Sequence, residues 1–127
     1  MEPKFAVVTL WAEDITTAVH FYRDVLKLKL LSHHEGLQHF DVNGVYLVIL
    51  KGHALPVQSS EPSRFPLFAI SVADFDERVD RLEKHGVAMP WGIEMNESSR
   101  WVMFRDPAGN LIEFVQFNGD LKAKTTH

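Results

Sequence analysis

Phe104-Arg105-Asp106-Pro107-Ala108-Gly109-Asn110-Leu111-Ile112-Glu113-Phe114 sets one acidic side chain on an otherwise apolar strand, just past a tight turn. Pro107 presets φ for the turn, and Gly109 or Asn110 can take the left-handed conformation that closes a hairpin. Val102 to Phe104 on one side and Leu111 to Phe117 on the other are rich in β-branched and aromatic residues, so both flanks read as strands. Glu113 then faces either solvent or a polar cavity, because burying a lone carboxylate is costly.

An internal repeat extends this reading across the chain. With a shift of sixty residues, Val8-Thr9-Leu10-Trp11-Ala12-Glu13-Asp14-Ile15 falls on Phe68-Ala69-Ile70-Ser71-Val72-Ala73-Asp74-Phe75. In each half an apolar strand runs into an Asp suited to a helix N-cap. Ile15, Val19, Tyr22 and Leu26 follow the first Asp, and Phe75, Val79 and Leu82 follow the second. Both sets have helical spacing, so each helix lays one apolar stripe on a sheet. Gly86 after His85 reads as a C-cap. Three strand-like runs follow each helix: Leu28–Ser32, Leu37–Val42 and Val45–Leu50, then Val87–Ile93, Trp101–Arg105 and Leu111–Phe117. The closing hairpins also correspond, since Val48 lies four residues after Gly44 and Glu113 four after Gly109.

The expected architecture is α+β: two βαβββ modules, each too small to be comfortable alone, with helices on the outer face of a sheet pair. Residues 1–52 form the first module, 53–66 a Pro- and Ser-rich linker, 67–118 the second module and 119–127 a tail, one domain overall. A formal charge of −4 argues against a nucleic-acid surface. The chain has no Cys, no signal-peptide pattern and no apolar run long enough for a membrane, which favours a cytoplasmic protein.

Strand alternation lists the residues facing away from the helices. With Val7 on that face, Thr9 and Trp11 join it, as do Leu67, Ala69 and Ser71 in the second module. A two-residue hairpin at Asn43-Gly44 pairs Val42 with Val45 and sets His39 opposite Val48. That face then holds His39, Asp41, Tyr46, Val48 and Leu50, and the helix-covered face is wholly apolar: Phe40, Val42, Leu47 and Ile49. In the other hairpin Met103 faces Glu113, with Trp101 and Val115 beyond. The resulting lining is aromatic and apolar with few polar groups, the usual makeup of a small-molecule pocket. Trp91 and Glu94 rim it. The plain alternative is that these aromatics fill a closed barrel that admits no ligand.

Paired βαβββ modules, an Asp-capped helix carrying Phe21-Tyr22, and Asp106-Pro107-Ala108-Gly109-Asn110-Leu111-Ile112-Glu113 together resemble the vicinal oxygen chelate superfamily, also called the glyoxalase, bleomycin resistance protein and extradiol dioxygenase superfamily. The similarity runs from about Phe5 to Phe117. It implies half-barrel modules enclosing a cavity, often completed by a second chain, hence a homodimer. It also implies a divalent metal held by His and Glu from the first and last strands of the modules. Carried over residue by residue, those positions fall at Val7, Val48, Leu67 and Glu113, and only Glu113 has a donor. The Tyr that extradiol-type enzymes place ten residues before the Glu is Met103 here.

The expectation is therefore a protein without metal or other cofactor. It would bind a small aromatic or antibiotic-like molecule through Thr9, Trp11, His39, Tyr46, Val48, Trp91, Trp101, Met103 and Glu113. The alternative is a lyase, isomerase or dioxygenase-type enzyme using His39 and Glu113, with or without a non-standard divalent metal. Imidazole titrates near neutrality, and a neighbouring carboxylate would orient it. Most other His read as surface residues: His20 and His85 on helices, His33-His34 near a strand end, His53 in the linker and His127 at the terminus.

Overall fold

A computed structural model describes residues 2–33, 39–53 and 64–118. Its elements run β1 (Val7–Ala12), α1 (Ile15–His20) continued by a π-helical stretch (Phe21–Val25), β2 (Lys29–Leu30), β3 (Phe40–Val42) and β4 (Val45–Lys51). The second series is β5 (Phe68–Ser71), α2 (Phe75–Lys84), β6 (Ile93–Met95), β7 (Ser99–Arg105) and β8 (Leu111–Phe117). The expected βαβββ order therefore recurs in both halves. Each half is an open four-stranded mixed sheet, ordered β1-β4-β3-β2 and β5-β8-β7-β6. In each, the first strand runs parallel to the last. The chain sorts into two compact units, one on each module, and the turn Asp106–Asn110 belongs with the first.

Local chemistry accounts for the register. Asn43 (φ 51°) and Gly44 (φ 90°) both take positive φ, as a two-residue hairpin turn requires, and the Gly44 N–H donates to Asp41 Oδ1 at 2.8 Å. Val42 pairs with Val45, Asp41 with Tyr46 and Phe40 with Leu47, the register read from the sequence. Met103 pairs with Glu113 and Trp101 with Val115, also as read. The repeat survives in the pairing: Thr9 opposes Val48 as Ala69 opposes Glu113.

In the first unit the core lies on the helix side of the sheet. Leu10, Phe40, Leu47 and Ile49 are buried there with Val19, Tyr22 and Leu26, and the Tyr22 ring lies 6.0 Å from that of Phe40. In the second unit Val102, Phe104, Ile112 and Phe114 are buried with Phe75, Val79 and Leu82 of α2. The Arg100 guanidinium covers the Phe75 ring at 4.5 Å and that of Arg78 lies 5.5 Å from the Phe114 ring. Each such apolar side chain contributes roughly 1.5–3 kcal/mol on burial.

The helix ends differ from expectation in one place. Asp14 caps α1, accepting from the Thr17 N–H at 3.1 Å and the Thr17 hydroxyl at 2.8 Å; these bonds hold its carboxyl below the usual range. Asp74 precedes α2 but makes no side-chain cap, because its carboxylate is turned to Arg78 Nε at 2.7 Å. Gly86 (φ 70°) ends α2, with the Val87 N–H returning to the Leu82 carbonyl at 2.9 Å. The strand expected over Val87–Ile93 is instead Ile93–Met95. Pro90 lacks a donor, and Gly92 (φ 62°) closes a turn onto the Met89 carbonyl, so pairing starts only past them. The strand expected over Leu28–Ser32 is trimmed to Lys29–Leu30 after Lys27 at φ 57°. Part of the expected strand Leu37–Val42, most of the linker, His34 and the tail with His127 lie outside the described residues.

Candidate functional site

The Asp106–Asn110 turn is a hydrogen-bonded hub. Asp106 begins a turn with Pro107 second, closed by the Gly109 N–H on the Asp106 carbonyl at 3.0 Å, and Gly109 (φ 95°) supplies the left-handed residue. The buried Asp106 carboxylate accepts from the Ala108 N–H (3.0 Å), the Asn110 N–H (2.9 Å), Asn110 Nδ2 (2.9 Å) and the Tyr22 hydroxyl (2.7 Å). Asn110 Nδ2 also reaches the Trp11 carbonyl at 3.3 Å. The π-helical stretch, in which the Leu26 N–H returns to the Phe21 carbonyl at 3.1 Å, carries the fully buried Tyr22. Burial, and then the Asp106 charge, push its phenol well above the ordinary value. This motif is structural: it ties the turn to α1.

On the first sheet, Thr9, Trp11, Tyr46 and Val48 share the face opposite the helix. Trp11 is 46% exposed, Tyr46 39% and Val7 50%, so this face is open and apolar. The Trp11 indole lies against Gly52, where an added Cβ would meet the ring at 2.8 Å. His39 is wholly buried, and its Nδ1 accepts the Ile49 N–H at 2.9 Å, which satisfies a backbone donor just past the last β3–β4 pair. His20, His53 and His85 are exposed; His20 pairs with Asp24 and His53 with Glu13.

On the second sheet, Glu113 stands between Ala69 and Met103, with Trp101, Val115, Ser71 and Glu94 in the next rows of the same face. Burial, then the nearby Glu94 charge, raise the Glu113 carboxyl above its ordinary value. Glu94 is held the opposite way, chiefly by a hydrogen bond from Arg64. The Arg64 guanidinium also covers the Trp91 ring at 4.7 Å. Arg64 escaped the sequence reading because it sits in the Pro- and Ser-rich connection, thirty residues from Glu94. Its only signal is a cation beside a segment that rims the face.

His39 belongs to the first unit and Glu113 to the second. The positions implied as metal ligands do not fit a metal: Val7, Val48 and Leu67 offer no donor atom beside Glu113. Among the described residues no three His, Asp or Glu side chains converge.

The chain matches the family profile described as Glyoxalase/Bleomycin resistance protein/Dioxygenase superfamily over residues 4–114. A metallothiol transferase FosB from Lysinibacillus sphaericus (strain C3-41) is 30% identical over 103 residues, covering 80% of this chain and 73% of that protein. TnmS3, an antibiotic binding protein from Streptomyces sp. CB03234, has a similar fold, with a TM-score of 0.71 at 22% identity over 92% of this chain and 98% of that one. The fosfomycin resistance protein FosX from Mesorhizobium loti aligns with a TM-score of 0.68 at 21% identity over 98% of both chains. Repeat, register, turn and profile agree, and the chain belongs to the glyoxalase/bleomycin resistance protein/dioxygenase superfamily.

Proposed function

We propose that the chain is a ligand-binding member of this superfamily that works without a metal, capturing a small aromatic or antibiotic-like molecule in an apolar cavity. One observation carries the reading. Val7, Val48 and Leu67 stand where donors are implied, while Trp11, Tyr46, Trp101 and Met103 line the faces turned away from the helices. Capture by stacking and burial needs no Lewis acid and no base. The fold likeness to an antibiotic binding protein supports the class. Exposed Val7, Trp11, Tyr46 and Leu67 also suit a homodimer in which a second copy covers apolar surface. The absence of Cys suits a cytoplasmic setting. Among the described residues no helix is long and apolar enough to cross a membrane.

The test is a thermal-shift and tryptophan-quenching screen of aromatic and antibiotic-like compounds on chelator-treated protein, with sedimentation equilibrium for the dimer. One compound class should raise the melting temperature at one ligand per site, with no change when Zn²⁺, Ni²⁺, Mn²⁺ or Fe²⁺ is added. Binding or turnover that appears only with one of those ions overturns the reading.

A second reading, an enzyme using His39 and Glu113, has one observation in its favour: the raised Glu113 carboxyl is a stronger base than an ordinary one. Glu113→Gln would then abolish turnover with the fold intact and the melting temperature no lower. Activity lost in His39→Ala counts only if the fold persists, since that change also strands the Ile49 N–H.

A further inference from the structure

We infer that Glu113 recognises a single organic cation, pairing with the ammonium or guanidinium head of a ligand whose aromatic ring lies on Trp101. The inference deepens the ligand-binding reading and rests on it. Glu113 sits on an inner strand, part-buried between the small Ala69 and the apolar Met103, with Trp101 and Val115 one step along the same face. Among the described residues its carboxylate has no hydrogen bond or ion pair. A carboxylate in such a row is costly until a cation meets it.

The other charges on this face do not serve. Glu94, on β6, adds negative charge and already has its own cation in Arg64. Arg64 is held further by the Trp91 ring. Arg105, two residues along β7 from Met103, shares the face but is engaged in an interaction of its own. A ligand bringing its own positive charge would therefore complete the carboxylate, and an indole next to it adds cation–π attraction. Ala69, Ser71 and Leu67 are exposed, so the approach over β5 is open. An anionic ligand would meet the like charges of Glu113 and Glu94. The formal charge of −4 draws cations to the protein as a whole.

A matched probe series tests this: 2-naphthylmethylamine, 2-naphthylmethanol and 2-naphthoate, titrated by calorimetry into wild type, Glu113→Gln and Glu94→Gln at neutral pH. A charge-assisted pair should make the amine bind about tenfold tighter than the alcohol, with the carboxylate weakest. Glu113→Gln should erase the preference for the amine while leaving the alcohol's affinity within about twofold. Equal affinity for amine and alcohol in wild type, with binding intact, overturns the cation inference but leaves the ligand-binding reading standing. A preference that survives Glu113→Gln and vanishes in Glu94→Gln overturns it as well, by moving the site. Failure of all three probes to bind removes the ligand-binding reading together with the inference.

Discussion

Replacing Tyr22 with Phe probes the hub that holds the Asp106–Asn110 turn. The phenol ring is fully buried, edge-on to Phe21 at 5.5 Å and tilted against Phe40 at 6.0 Å, so Phe fills the same space. What is lost is one 2.7 Å hydrogen bond to a buried carboxylate that keeps three other donors. Hydrogen bonds to charged groups contribute about 1.5–3 kcal/mol, and the remaining donors favour the lower half of that range. Asp106→Ala should cost more, about 3–5 kcal/mol, because it strands four donors at once. The assay is urea unfolding of both single variants and the double variant, with a coupling energy of about 1.5–2 kcal/mol expected from the cycle. Alkaline titration adds a second readout. The unfolded phenol loses its proton near its ordinary 10.0, while the folded one holds it higher, so the folded state binds more protons between the two values. The Tyr22 contribution is therefore complete below the ordinary value and is lost as pH rises through the folded one, a decline that Tyr22→Phe should lack. Additive single variants, or a Tyr22→Phe protein within about 0.5 kcal/mol of wild type, would refute the hub as a source of stability.

Three further outcomes follow from particular contacts. Gly52→Ala should push the Trp11 indole off the backbone just past β4, since the new Cβ would fall 2.8 Å from the ring; in a Trp91→Phe, Trp101→Phe background its emission should shift to the red, and an unchanged spectrum would count against the placement. Glu113→Gln should raise the melting temperature at neutral pH. The raised carboxyl makes the folded state bind more protons, so its penalty is absent below the ordinary 4.5 and grows as pH rises through the folded value; a stabilisation that persists in acid would contradict this. Asp14→Ala should lower the melting temperature more than Asp74→Ala, because the first removes a true N-cap and the second only an exposed pair with Arg78.

Local signals carried most of the fold. The Asn43-Gly44 turn requires two positive φ values, so its register, and with it every partner along β3 and β4, follows from the dipeptide. Leu111–Phe117 was legible to the residue because its turn and its β-rich composition agree. Where neighbouring residues conflict, composition misplaces the element: Val87 favours a strand, but Pro90 and Gly92 postpone it to Ile93. The π-helical stretch left no trace in the pattern, because Val19, Tyr22 and Leu26 are spaced by three and four whether or not the turn widens. Long-range pairings were invisible for a plainer reason. Tyr22 and Asp106 stand 84 residues apart, and Arg64 meets Glu94 across a connection whose composition signals only a loop.

The same division explains why the family could be read while the activity could not. Within Asp106 to Glu113, the residues that make the motif recognisable do separate work. Asp106, Gly109 and Asn110 build the turn and bind it to Tyr22 and the Trp11 carbonyl, a task set by folding alone. Glu113 is the one charged side chain on that strand, and the other positions implied by the resemblance, Val7, Val48 and Leu67, have no donor side chain. Similarity concentrated in this turn therefore transfers the fold to a new chain, whereas an activity rests on side chains outside it.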